Sequence, residues 1–283
     1  MVNLKNLILQ NQNQNILSII YSAGELGQKE NTEVYVVGGF VRDLIMKNPI
    51  NDIDIMVVGD GIAFAEKLAS KLGIKKTVPF KKFGTAIIPN KKLPIEIATA
   101  RTEKYNDKSR KPSEISHAKL NGDLLRRDFT INAMAMDIQP SRFGDLTDPF
   151  GGISDIEKQI IKTPLSPDDT FSEDPLRMMR AAYFSSKLGF TIDDNCFNAV
   201  KRQSKRIKIV SAERIRDEFI KILETNKPSI GLTILQKTGL LKLVFPEIDI
   251  MHGMEQTPEW HHKDIFDHTM QVVDNAAKLS QKM

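Results

Sequence analysis

Val34-Tyr35-Val36-Val37-Gly38-Gly39-Phe40-Val41-Arg42-Asp43, with Asp52-Ile53-Asp54-Ile55-Met56-Val57-Val58 close behind it, is the stretch on which the fold turns. A β-branched run closed by two glycines predicts a strand over Glu33–Val37 that ends in a turn. Phe40–Met46 then reads as a short helix. Asp52–Val58 alternates before turning fully apolar, which predicts a second strand. Ile62–Leu72 is amphipathic and stops at Gly73, a good position for a helix-ending glycine. Thr85–Ile88 and Leu93–Ala98 read as two more strands joined by Pro89-Asn90-Lys91-Lys92. This part of the chain is therefore a mixed α/β unit with a small sheet.

Its chemistry lies in three carboxylates. Asp52 and Asp54 are two apart on a predicted strand, so both side chains leave the same face. Held that close they repel unless a cation sits between them. Mg²⁺ suits the position because it takes oxygen ligands and keeps waters and phosphates as co-ligands. A D-x-D pair alone is more often a cap or a turn, and Glu96 changes the balance. It sits between Ile95 and Ile97 on another apolar strand, where a charge is costly without a partner. A third carboxylate on the same sheet would complete a two-metal site. Gly38 and Gly39 precede a helix, where backbone amides favour phosphate oxygens. Arg42, one turn on, would add a fork of donors.

Around this unit the texture changes. Leu4–Gly24 carries apolar residues at helical intervals, and residues 1–30 form an expected N-terminal helical segment. Residues 103–116 (EKYNDKSRKPSEIS) are polar and read as a flexible loop. From Gly122 onward helices dominate. Ser172–Leu188 reads as one strong helix capped by Ser172 and ended by Gly189. Ala212–Leu223, Ser229–Lys237, Gly239–Val244 and His262–Lys282 follow. Of 283 residues, 41% are hydrophobic, which is ample for a core and excludes wholesale disorder. No apolar run is long enough to span a membrane. Cys196 is the single cysteine, so an internal disulfide is excluded and a cytoplasmic address is the default expectation. The net charge of +4 is mild, yet Lys201–Lys208 holds five basic residues and no acid. Such a run is more often a solvated face than a phosphate contact.

Val37–Asp43 together with Asp52–Asp54 resembles the head of the polymerase-β-type nucleotidyltransferases, and more narrowly the class II CCA-adding tRNA nucleotidyltransferases with their bacterial poly(A) polymerase relatives. Leu125–Ala133 resembles that family's RRDxxxNA motif, Glu173–Arg180 its EDxxR nucleotide-template motif, and Glu213–Glu218 the ERxxxE motif that buttresses it. The blocks run in family order over roughly Val34 to Pro246.

The resemblance implies an α+β (mixed α/β) fold, with a head over 31–140, a neck over 141–210, a helical RNA-binding body over 211–250, and a truncated HD domain opening over 251–283. It implies two Mg²⁺ held by Asp52, Asp54 and Glu96. Arg127 and Arg180 would hold the triphosphate, while Asp128 and Asn132 orient the loop or the sugar. Asp174 and Arg177, three apart on the predicted helix, would read the incoming base. Cytosine and adenine both set an amino donor beside a ring-nitrogen acceptor, which an Asp and an Arg answer; uracil and guanine reverse the pattern. Lys201, Arg202, Lys205, Arg206 and Lys208 would meet RNA by shape and phosphate. The expected function is template-independent transfer of CMP and AMP, from CTP and ATP, to the tRNA 3′ acceptor end. Alternatives are a poly(A) polymerase using ATP alone and a non-catalytic RNA- or nucleotide-binding protein. Glu255–Thr269 resembles the opening of an HD-type phosphohydrolase domain with His268 as first metal ligand, but the paired ligands do not arrive.

Overall fold

The computed structural model describes residues 2–11, 14–90, 93–106, 109–254 and 264–280. Two compact units result, one of residues 1–104 with 112–158, the other of 159–283 with 105–111.

The first unit begins with helices α1 (Lys5–Asn11) and α2 (Gln14–Lys29), then strand β1 (Val34–Val37), helix α3 (Gly39–Ile45), strand β2 (Ile53–Val57) and helix α4 (Gly61–Lys71). Strands β3 (Val78–Phe80), β4 (Thr85–Ile88) and β5 (Ile95–Thr99) follow. Next along the chain come β6 (Arg101–Asn106) and β7 (Ser109–His117), of which residues 105–111 group with the second unit, then helix α5 (Leu120–Leu125), strands β8 (Ala135–Asp137) and β9 (Leu146–Thr147), and helix α6 (Gly152–Glu157). Among the described residues, seven strands join in the order β3-β4-β5-β2-β1-β8-β9. The β2–β5 pair is parallel and its neighbours are antiparallel.

Alternation divides the sheet's residues between two faces. Val34, Val36, Ile53, Ile55, Val57, Ile95 and Ile97 enter the main core, beneath Ile8, Ile16, Ile19, Ile20, Phe64 and Leu68 of the helices. Tyr35, Val37, Met56 and Ala135 line the other face in a smaller cluster with Leu124. Asp60 starts α4 by accepting from the amides of Ile62 and Ala63 at 3.0 Å. Gly24 lets α2 lie on the backbone, because a Cβ there would meet the Ile138 carbonyl oxygen at 1.8 Å.

Several expectations change here. Residues 1–30 belong to the first unit rather than standing apart, and that unit runs on to residue 158 instead of closing at 140. Asn3 bridges Asp145, and Leu4 donates its amide to Gly144. β8 and β9 return to the sheet where helix was expected, since Ala135–Asp137 is a short buried run without helical length. Residues 103–106 and 109–116 lie in the paired strands β6 and β7. Their polarity suited a solvated loop, but strand pairing is a backbone matter and a two-stranded ribbon tolerates polar residues on both faces.

In the second unit, β10 (Ile160–Ile161) precedes α7 (Pro167–Glu173) and α8 (Leu176–Leu188). Then come β11 (Thr191–Ile192), α9 (Asp194–Gln203), α10 (Ala212–Leu223), α11 (Pro228–Lys237), α12 (Leu241–Val244), α13 (Pro246–Asp249) and α14 (Ile265–Ser280). A short parallel β10–β11 pair interrupts the otherwise helical texture. α8 is the axis, burying Met178, Met179, Ala181, Ala182 and Phe184. Asp274 of α14 accepts from the Ser229 amide at 2.9 Å and thereby caps the start of α11.

The single helix expected over Ser172–Leu188 is two. Pro175 disfavours helical backbone at the residue before it, and Asp174 is extended at φ −134 and ψ 100. Ser166, not Ser172, caps α7, with Pro167 in its first turn. Asp174 instead opens α8, its Oδ1 accepting from the Leu176 amide at 3.1 Å. No helix of the described residues is long and apolar enough to cross a membrane.

Candidate active site

β2 and β5 run parallel with Asp54 opposite Glu96, so the two carboxylates share a face and a row. Asp52 lies exposed just before β2, Glu96 is exposed, and Asp54 is partly buried. Burial, then the charges of Asp52 and Glu96, push the Asp54 carboxyl up to about 7 against the pull of Arg127 and Arg42. Three crowded carboxylates form an oxygen donor set of the kind a hard divalent cation relieves. Among the described residues, no group of three His, Cys, Asp or Glu side chains is already drawn together as a finished metal centre. The set therefore fits such an ion in the chemistry of its donors, with Asp54 and Glu96 in one row.

Beside this row is the turn between β1 and α3. Gly38 has φ +68 and ψ −128, and a Cβ there would fall 2.8 Å from Arg127 Nη1 and 3.9 Å from Asp54 Oδ2. Gly38, Arg127 and Asp54 therefore converge on one point. The Gly38 amide already donates to the Met134 carbonyl at 3.2 Å, so the expectation that it faces phosphate is not met. Gly39 begins α3.

Arg42 is not an open fork. Its side chain is 4% exposed, its Nε and Nη2 reach both oxygens of Asp43, and its Nη1 donates to Asn132 Oδ1 at 2.6 Å. Asn132 Nδ2 donates in turn to Asp128 Oδ1 at 3.1 Å, and the same oxygen accepts the Phe129 amide at 2.8 Å. Asp43, Arg42, Asn132 and Asp128 thus form one polar chain that ties α3 to the Thr130–Asn132 turn.

Asp123 escaped the sequence reading. It is 1% exposed and sits between two arginines: Arg126 on its Oδ1 and Arg127 on its Oδ2 at 3.0 Å. Burial raises its pKa, but Arg127 and Arg126 outweigh that and hold the carboxyl below its usual range. The signal was present, since Asp123 stands three and four residues before the arginines on helical spacing.

The template and buttress motifs lie in the second unit. The Arg177 amide donates to the Asp174 carbonyl at 3.0 Å, but their side chains take separate partners. Asp174 Oδ2 accepts from Arg214 at 3.0 Å, while Arg177 reaches Glu173 at 2.9 Å and the Thr170 carbonyl at 3.2 Å. Arg180 approaches Glu218 at 3.7 Å and lies over the Phe184 ring at 5.3 Å. Arg214 and Glu218 of α10 thus brace Asp174 and Arg180 at the start of α8. The basic run divides. Lys201, Arg202, Lys205 and Lys208 are exposed, with Arg202 bound to Asp168 at 2.6 Å, whereas Arg206 is partly buried and donates to the Ser172 carbonyl at 2.8 Å. Of the expected HD opening, residues 255–263 lie outside the described residues. His268 stands on α14 without a metal-holding cluster among the described residues.

Residues 34–162 match the family described as "Poly A polymerase head domain", and residues 189–251 match "Probable RNA and SrmB- binding site of polymerase A". The chain is 38% identical over 257 residues to the multifunctional CCA protein of Vibrio vulnificus, covering 88% of this chain and 60% of that one. It is 34% identical over 236 residues to the A-adding tRNA nucleotidyltransferase of Geobacter sulfurreducens, covering 82% of this chain and 26% of the relative. Among solved structures, the Thermotoga maritima CCA-adding enzyme complexed with tRNA-CCA is similar with a TM-score of 0.75 and 32% identity, over 91% of this chain and 57% of that one. A CCA-adding enzyme in apo form II reaches a TM-score of 0.79 at 34% identity, over 88% of this chain and 60% of that one.

Proposed function

Because this chain belongs to the class II CCA-adding and poly(A) polymerase family, we propose that it transfers CMP and AMP from CTP and ATP to a tRNA 3′ end and releases pyrophosphate. The observation that carries this reading is the in-register pair Asp54 and Glu96, with Gly38 and Arg127 beside it. Two Mg²⁺ ions, if held by Asp52, Asp54 and Glu96, would supply the Lewis acid that lowers the attacking hydroxyl's pKa and neutralises the departing pyrophosphate.

The chain's own residues do the positioning. Arg127, oriented by Asp123 through its Nε and Nη2, offers its Nη1 to the triphosphate beside Gly38, where a side chain would block the approach. Arg42 works from beneath, holding the Asn132–Asp128 turn rather than reaching the ligand. Asp174 and Arg177, each fixed by a separate partner, present an acceptor and a donor to the base, and Arg180 adds positive charge one turn on. The exposed Lys201, Arg202, Lys205 and Lys208 meet acceptor phosphates. The reaction sits with the cytoplasmic tRNA pool.

The A-adding relative defines the second reading, addition of A alone. A non-catalytic binding protein is disfavoured because all three carboxylates are present. Incubation with Mg²⁺ and a tRNA ending before CCA, with labelled CTP and ATP separately and together, decides among them. Two C followed by one A is the expected product; A-only products move the assignment to an A-adding enzyme or, if long, to a poly(A) polymerase.

A further inference from the structure

Among the described residues, the outer strand of the carboxylate-bearing sheet face is exposed at Val78 and Phe80, and no step above uses it. Register carries the row outward: Asp54 faces Glu96, Glu96 faces Ile87, and Ile87 faces Val78. A second row runs Met56, Ala98, Thr85, Phe80. Directly paired residues share a face, so Val78 and Phe80 lie on the side of Asp54 and Glu96. They are 46% and 44% exposed, whereas Ala86, Ile88, Ile95 and Ile97 close the opposite face completely.

The charge here is one-sided. From Lys67 to Ile95 there are eight lysines and no acidic residue. Lys67 and Lys71 pair with Glu30 and Glu25. Lys75, Lys76, Lys81 and Lys82 are exposed, and among the described residues no ion pair engages them. Phe83, beside the last two, is 43% exposed.

We propose that this edge, built from Val78, Phe80 and the four lysines, holds the single-stranded 3′ end of the acceptor RNA upstream of the nucleotide being extended. A base lies on Phe80 and the backbone phosphates lie against the lysines. The inference rests on the RNA-extending reading given above. Exposed aromatics among cations that track a backbone are the means by which single strands are held without sequence readout. Three strand spacings, ~14 Å, separate Val78 from Asp54. Stacked nucleotides repeat at about 3.4 Å, so a short overhang bridges the gap. A peptide adding as a further strand suits the edge poorly. β3 is three residues long, and Pro79 at its centre lacks an amide hydrogen. Lysines and a proline also protect an edge strand, but protection does not call for exposed aromatics on the catalytic face.

The test uses the whole chain and two fluorescent RNA hairpins, one blunt and one with a short 3′ overhang, titrated by anisotropy at several salt concentrations. Transfer of AMP and CMP to the overhang hairpin is followed in parallel. Phe80→Ala is expected to weaken overhang binding by about 5- to 100-fold, Phe80→Trp to restore it, and blunt binding to hold. Lys81→Ala/Lys82→Ala should lower the salt slope by ~0.7 for each phosphate that the two lysines neutralise. Transfer by the unaltered chain, with overhang binding unchanged in Phe80→Ala, overturns this site alone. Equal weakening for blunt and overhang RNA reduces it to a general cationic patch and also overturns it. Neither binding nor transfer by the unaltered chain overturns the functional reading, and the site with it.

Discussion

Gly38 has two independent reasons to be glycine, its φ of +68 and the 2.8 Å approach of Arg127 Nη1 to the place a Cβ would occupy. Gly38→Ala therefore costs about 1–3 kcal/mol in backbone strain and displaces Arg127 as well. Nucleotide transfer is expected to fall at least tenfold while circular dichroism keeps its shape. Asp123 gives a prediction about pH. Its folded-state pKa is depressed, so its contribution to stability is fully present above the ordinary carboxylate range and is lost as pH falls through the folded value. Asp123→Asn, which leaves Arg126 and Arg127 without their buried partner, is expected to lose about 2–3 kcal/mol at pH 7 in urea unfolding. That difference should shrink on acidification below about pH 4. Equal losses at both pH values would mean the carboxylate's charge is not what holds the arginines. Asp54 and Glu96 were legible as charges on neighbouring apolar strands, whereas Asp52, expected on the strand with Asp54, lies just before β2. The occupied state of Arg42 was not, because Asn132 is 90 residues away and only the fold brings the two together.

The break between α7 and α8 belongs to the scale of elements. Helical period continues through it, which is why Ser172–Leu188 reads as one helix, and Pro175 read as a first-turn residue of that helix in fact starts a second one. The break turns Asp174 into the residue that opens α8 and lets Arg214 reach its free oxygen. Asp174→Ala is expected to cost ~1 kcal/mol because the turn loses its side-chain acceptor. If the Asp174 carboxylate is the acceptor that separates the bases, as proposed above, the substitution should also raise incorporation of U or G relative to C and A by about tenfold. An unaltered nucleotide preference would remove Asp174 from the reading of the base. The central strands were visible as apolar, β-branched runs, within two residues of their bounds. β3, β8 and β9 were not, because each is too short for alternation to register and is a strand only by virtue of the neighbour it pairs with.

For the whole molecule, a net charge of +4 conceals two strongly basic segments, 67–95 in one unit and 201–208 in the other. RNA affinity should therefore fall steeply with salt, with a logarithmic slope of about −0.7 per single-strand phosphate contact. Charge reversal in both segments should flatten the slope more than reversal in either alone. A slope near zero would contradict phosphate contact at both. The order of the blocks along the chain was enough to place the fold class, whereas the extent of each unit depended on long-range pairs such as Asn3 with Asp145. The most direct measurement of the central claim is single-turnover nucleotide addition to a tRNA lacking its CCA end, comparing the unaltered chain with Asp54→Asn and Glu96→Gln. The expected result is C and A addition that falls at least a hundredfold in each variant while overhang-RNA binding survives. Addition that persists at an undiminished rate in both variants would show that the paired carboxylates of β2 and β5 are not the seat of the reaction.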